Sequence, residues 1–151
     1  MPNTLDFTLK QFSELALTEF YAIAHLREAV FVVEQHCPYQ ELDGIDPQCY
    51  HLQGFVNGEL AVYARIIPPT VHPTGKPAIG RVLTAKDYRG HQFGRNLMQQ
   101  AIDFCHANYP RQPIFISAQV YLLEFYQSLG FVTQGEPYLE DDILHIDMLL
   151  I

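Results

Sequence analysis

Arg81, Lys86, Arg89 and Arg95, four of the nine Lys and Arg residues, fall within residues 81–95 of a chain that carries seventeen Asp and Glu. They belong to Ala78-Ile-Gly-Arg-Val-Leu-Thr-Ala-Lys-Asp-Tyr-Arg-Gly-His-Gln-Phe-Gly-Arg95, which reads as an apolar strand, a short basic turn and the opening of a helix. That combination is an anion site. Amides left unpaired at a helix N-terminus point outward with the positive end of the helix dipole, and glycines let a ligand approach the main chain.

A second chemical group is acidic. Between Arg27 and Arg65 there is no Lys or Arg, but there are Glu28, Glu34, Glu41, Asp43, Asp46 and Glu59, a field that would attract a cationic amine. The formal net charge of −8 repels a polyanion, so neither nucleic acid nor an anionic membrane is expected as partner. Cys37, Cys49 and Cys105 are odd in number and no basic segment leads into an apolar run at the start, so no disulfide framework is expected and the expected location is cytoplasmic. Cys37, Cys49 and His51, with His36 near, could be read as a zinc site, but the paired short spacing of structural zinc modules is missing and no metal is expected. Nothing marks Cys37 or Cys49 as an activated thiol, and Cys105 reads as core.

The elements that must carry these groups follow from periodicity. Leu5 to Leu9 alternates as a strand, and from Thr18, a candidate N-cap, Phe20, Ile23, Ala24, Arg27 and Val30 fall near helical period. Val30 to Val33 could prolong that helix or stand as an extended piece, and Glu34 to Tyr50 reads as a loop. His51–Val56, Asn57-Gly58 and Glu59–Ile67 form a hairpin signal with a type I′ turn. After the loop of Pro68, Pro69, Pro73 and Pro77 comes the strand Ala78–Thr84. Leu97, Met98, Ala101, Ile102 and Cys105 then trace one face of a helix from Phe93 to near Tyr109. Ile114–Ala118 reads as a short buried strand, Leu122–Leu129 as a short helix closed by Gly130, Phe131 as the start of a strand, and Ile143–Leu150 as the last strand. The chain has room for one domain and a real core, and no apolar run approaches the roughly 20 residues that span a bilayer.

The turn Arg89-Gly90-His91-Gln92-Phe93-Gly94 resembles the acyl-CoA pyrophosphate loop of the GNAT N-acetyltransferase superfamily, whose pattern is Arg or Gln, two variable residues, Gly, a variable residue, then Gly or Ala. Gln92 stands where the pattern has its middle Gly. Leu123-Glu-Phe-Tyr-Gln-Ser-Leu-Gly-Phe131 resembles the family's helix that carries Phe-Tyr and closes with Gly-Phe, at the family's usual distance from the loop. Gln119 stands where many members have Asn, and Leu122 where they have Ala. The run from Leu26 to Asp46 is similar to the ElaA-like branch, which extends the resemblance over nearly the whole chain.

The resemblance implies an α/β fold over residues 1–151: a mixed, mostly antiparallel twisted sheet with helices on both faces and central strands splayed near Thr84 and Gln119. It implies acetyl-CoA as co-substrate, with Val82, Leu83 and Thr84 along the pantetheine, Arg89, Gly90, His91, Gln92, Phe93, Gly94 and Arg95 around the pyrophosphate, and Gln119 and Tyr126 beside the thioester. Tyr126 matches the family's general acid, since a phenol with a pKa near ~10 keeps its proton at neutral pH and can pass it to a leaving thiolate. The acceptor implied is a small-molecule or peptide amine, with Glu34, Asp43 and Asp46 in the acidic segment expected to bind it.

No carboxylate lies on Ala78–Thr84 or Ile114–Ala118, so the general base must come from elsewhere. Glu34, beside the apolar Val30–Val33 run, is the first candidate because partial burial would suit it to accept a proton. His51 is the second, and a water chain is a third route. The expected reaction is direct transfer in a ternary complex. A CoA-binding sensor or regulatory module without turnover is the competing reading, and a homodimer stays open.

Overall fold

The computed structural model describes residues 4–151. Strand β1 (Asp6–Gln11) leads to helix α1 (Leu17–Arg27), which continues as a π-helical segment, Glu28–Glu34. Val30–Val33 therefore prolongs the helix at a wider winding. The cap lies two residues before Thr18: Ala16 holds that position, and Glu19 accepts a hydrogen bond from the Ala16 amide at 2.9 Å. A carboxylate three residues into a helix reaches back to the first free amide, and here it does so without a hydroxyl at the cap.

The hairpin of β2 (Tyr50–Val56) and β3 (Glu59–Ile67) turns at Asn57 and Gly58, both with positive φ, as a type I′ turn requires. Then follow β4 (Ala78–Thr84), α2 (Phe93–Asn108), β5 (Ile114–Gln119), α3 (Leu123–Ser128), β6 (Val132–Glu140) and β7 (Ile143–Leu150). The seven strands form one sheet in the order β1-β2-β3-β4-β5-β7-β6. Every pairing is antiparallel except β4 with β5. Helix α2 buries Leu97, Met98, Ala101 and Ile102 against the apolar side chains of one face, and α1 with the π-helical segment covers part of the other through Ile23 and Val30 on Tyr63 and Leu83.

Two local features shape the site. The parallel strands β4 and β5 share a single register pair, Ala78 with Phe115, and part beyond it, which leaves the edge of β4 toward Thr84 without a strand partner. On its other edge β4 is bulged against β3: Tyr63 pairs with Leu83 but Arg65 with Gly80, and Arg81 inside the bulge takes a left-handed φ of 51°. Bulges of this kind re-aim side chains.

Candidate active site

The fork between β4 and β5 opens into a cleft of about 850 Å³, lined by Val82, Leu83 and Thr84 on one side and by Ser117, Gln119 and Tyr126 on the other. A second cavity of about 380 Å³ adjoins it, built from Gly90, Gln92, Gly94 and Arg95 at the start of α2, with Phe125 of α3. Thr84 and Arg89 line both. The two cavities thus meet where the strand joins the basic turn.

The N-terminus of α2 is open. Its cap has no side-chain hydrogen bond, so the first amides are left for a ligand. Gln92, the cap residue, has φ 61° and ψ 19°, a left-handed conformation that glycine adopts freely. The Gln at the expected Gly position therefore keeps the glycine's backbone shape. Gly90 also has positive φ, and a Cβ at Gly94 would meet only ordinary contacts with Thr84 and Phe125. His91 is exposed on the loop, and Phe93 anchors it in the core. Arg89 donates from Nε to the Thr84 carbonyl at 3.0 Å, and Arg95 lies over the Phe125 ring.

Tyr126 is 6% exposed, and burial pushes its phenol up to about 12. Its ring is held edge-on to Phe125 and Phe131. Its backbone is fixed by the end of α3: Phe131 donates to the Tyr126 carbonyl and Gly130, at φ 100°, to that of Gln127, the paired bonds that close a helix with a glycine. Among the described residues no side chain hydrogen-bonds its hydroxyl, and the residue lines the cleft.

The acidic segment behaves differently from the expectation. Its charges do not form an open field, because Arg27, Arg65 and Arg81 converge on them in a closed ring. Asp46 binds Arg27 at 2.7 Å and Arg65 at 3.0 Å; Glu41 binds Arg27 at 2.6 Å and Arg81 at 2.7 Å; Asp43 binds Arg65 at 2.9 Å and Arg81 at 3.4 Å. Three cations meet three anions, and each charge has two partners. Arg27 is fully buried and Asp46 is 4% exposed, so Asp46 cannot receive an acceptor. Burial works to raise the Asp46 carboxyl, but hydrogen bonds and charge from Arg27 and Arg65 hold it below its ordinary value. Asp43 lines the cleft; there too burial opposes, and Arg65 holds the carboxyl down to about 2. Glu59, another member of the presumed field, accepts from the Tyr88 hydroxyl at 2.6 Å.

Neither base candidate is free. His51 is fully buried, with Nδ1 bonded to the Tyr63 hydroxyl at 2.7 Å and Nε2 to the Asp46 carbonyl at 2.9 Å, and burial lowers its pKa. It braces the segment instead of meeting a substrate. Glu34 does line the cleft, but its carboxylate is bound by Arg89 of the basic turn at 3.0 Å. The cysteines are likewise separate: Cys37 donates to the Asp141 carbonyl and Cys49 to that of Ile45. Gln119 meets Gln35, which the sequence did not single out, in a reciprocal amide pair at 3.2 and 3.4 Å. Arg81 joins the ring through a bulge that leaves no sequence signal.

A family model described as an acetyltransferase (GNAT) domain matches residues 9–151. Protein ElaA of Escherichia coli is 43% identical over 140 residues, 90% of each chain. The crystal structure of an acyl-CoA N-acyltransferase from Pseudomonas aeruginosa superposes with a TM-score of 0.92 at 41% identity, covering 98% of this chain and all of that one. The crystal structure of Escherichia coli ElaA gives 0.90 at 38% over the same shares. With the loop, the forked strands and the Tyr-bearing helix in place, the chain belongs to the GNAT acyltransferase family, in its ElaA-like branch.

Proposed function

We propose that the protein transfers acetyl from acetyl-CoA to a primary amine by direct attack within a ternary complex. The observation that carries this reading is that the open α2 N-terminus, the unpaired edge of β4 and Tyr126 line adjoining cavities that meet at Thr84 and Arg89. The pyrophosphate would take the α2 amides with Arg89 and Arg95, and the pantetheine amides the free edge at Val82–Thr84. A main-chain N–H of that edge, fixed before charge develops, would stabilise the thioester oxygen by about 3 kcal/mol. Tyr126 keeps its proton until the C–S bond breaks and then gives it to the thiolate. Glu34, in this reading, holds Arg89 only until the pyrophosphate takes its place on the guanidinium. Three free, buried cysteines suit a reducing compartment, and we place the protein in the cytoplasm.

The test is release of CoA thiol from acetyl-CoA with a panel of polyamines, amino acids, amino sugars and peptides with free N-termini. Amine-dependent release supports the transferase. Donor binding without such release across the panel would favour a CoA-binding sensor module.

A further inference from the structure

The amine must lose a proton before it can attack, and the two carboxylate and imidazole candidates are engaged elsewhere. On the wall of the cleft formed by β5 stands Ser117. It is directly opposite Asp147 of β7 in the register, and Tyr138 of β6 reaches both: its hydroxyl donates to Asp147 Oδ1 at 2.6 Å and is hydrogen-bonded to Ser117 Oγ. Tyr138 arrives there through an irregularity in β6. Gln134 pairs with Asp147 and Tyr138 with His145, four steps along β6 against two along β7, with Gly135 at φ 72° between them. A bulge of this size is a device for aiming a side chain, and it aims this one at a carboxylate that makes no ion pair among the described residues.

We propose that Ser117, Tyr138 and Asp147 form a proton relay from the acceptor to the far side of β7, an assignment that rests on the acyltransferase reading above. Ser117 Oγ takes a proton from the acceptor ammonium while its own passes to Tyr138 Oη, whose proton passes to Asp147. The amine is left neutral and Asp147 becomes a carboxylic acid that later returns its proton to solvent. Nitrogen then bonds to the thioester carbon, the C–S bond breaks, the thiolate takes the proton of Tyr126, and the Tyr126 phenolate recovers one from the new amide nitrogen. Ser117 is the member that touches substrate; Tyr138 and Asp147 act through it.

The surroundings are consistent with this direction of transfer. Burial and then Asp147 push the Tyr138 phenol up to about 12, so it holds a proton to hand on at neutral pH. Facing Asp147 are Ser117 from β5, Gln134 and Tyr138 from β6, and His145 from β7, whose ring stacks on Tyr138 and lies 3.7 Å from Glu140. His72, packed on Phe115, feels the Asp147 charge, but burial keeps its own pKa low. Arg65 and Arg81 are taken up in the ring.

Tyr138→Phe and Asp147→Asn test the relay with acetyl-CoA and two nucleophiles: the amine that the wild type accepts best in the panel, and hydroxylamine, which is already largely uncharged at neutral pH. With the panel amine, both variants should lose turnover by roughly 10²-fold at pH 7 and recover as pH rises and solvent deprotonates the amine. With hydroxylamine the loss should be within a few-fold, and acetyl-CoA affinity should not change. Equal losses with both nucleophiles, or no loss with the panel amine, would overturn the relay while leaving the transferase intact. A wild type that turns over no amine overturns both. Should Asp147→Asn fail to fold, Tyr138→Phe, which keeps the ring, decides alone.

Discussion

Arg89 of the basic turn is bound to Glu34 at the end of the π-helical segment, with Nη1 3.0 Å from Oε2 and Nη2 3.2 Å from Oε1. The pair is half-exposed and ties the acidic segment to the anion site. A carboxylate held this way competes with a phosphate for the same guanidinium. Glu34→Gln should therefore lower the KM for acetyl-CoA at low salt, with the difference fading as ionic strength rises, and leave kcat nearly unchanged. Steady-state kinetics across a salt series would check it. A large fall in kcat with an altered acidic limb would instead return Glu34 to the role of base.

Gln92 sits in the left-handed region at the cap of α2, where a side chain costs roughly 1–2 kcal/mol relative to glycine. Gln92→Gly should relieve most of that cost. The expected outcome is a gain of about 1 kcal/mol in stability by urea unfolding, with acetyl-CoA bound as tightly or more so by calorimetry. Weaker binding would mean that the Gln92 side chain itself holds the donor.

Tyr126→Phe keeps the ring packing against Phe125 and Phe131 and removes only the hydroxyl of a residue that lines the cleft. If that hydroxyl protonates the thiolate, turnover should fall by roughly 10²-fold, while acetyl-CoA affinity stays close to that of the wild type. Single-turnover rates and donor titrations separate the two effects, and unchanged turnover would end the assignment.

The ion-pair ring makes two expectations. Arg27→Ala would leave Glu41 and Asp46 buried with fewer partners, and removal of one member of a buried ion pair costs about 3–5 kcal/mol. The second concerns acid. The Asp43 carboxyl is depressed from 3.8 to about 2 in the folded chain, so its contribution is complete above the unfolded value and is lost as pH falls toward 2. Asp43→Asn should be less stable at neutral pH and show a shallower loss over that acid range, as read from urea midpoints at successive pH values.

Much of the fold was legible because it is written in short-range signals. Asn57-Gly58 specifies its turn, the α2 face its period, and Gly130 its helix end. The open turn at the start of α2, where the donor is proposed to bind, was legible for the same reason, since one contiguous segment forms it. What the sequence hid depends on strands meeting across the sheet. Arg27, Arg65 and Arg81 are far apart in the chain, and nothing in their spacing foretells that they neutralise Glu41, Asp43 and Asp46. Asp147 lies in a mostly apolar strand, and its link to Ser117 exists only through the register of β5 with β7 and the irregular path of β6. His51 failed as a base because burial, which no local pattern reveals, consumed both ring nitrogens.

With β4 and β5 paired only at Ala78 and Phe115, the sheet is two plates joined at one corner, supported beneath by α2. A ligand laid along the open edge of β4 and against Gln119 would pin the plates together at the opposite corner. Amide exchange in β5, β6 and β7 should then slow in step with that in β2 and β3 when acetyl-CoA binds, so that two regions able to open separately come to unfold as one.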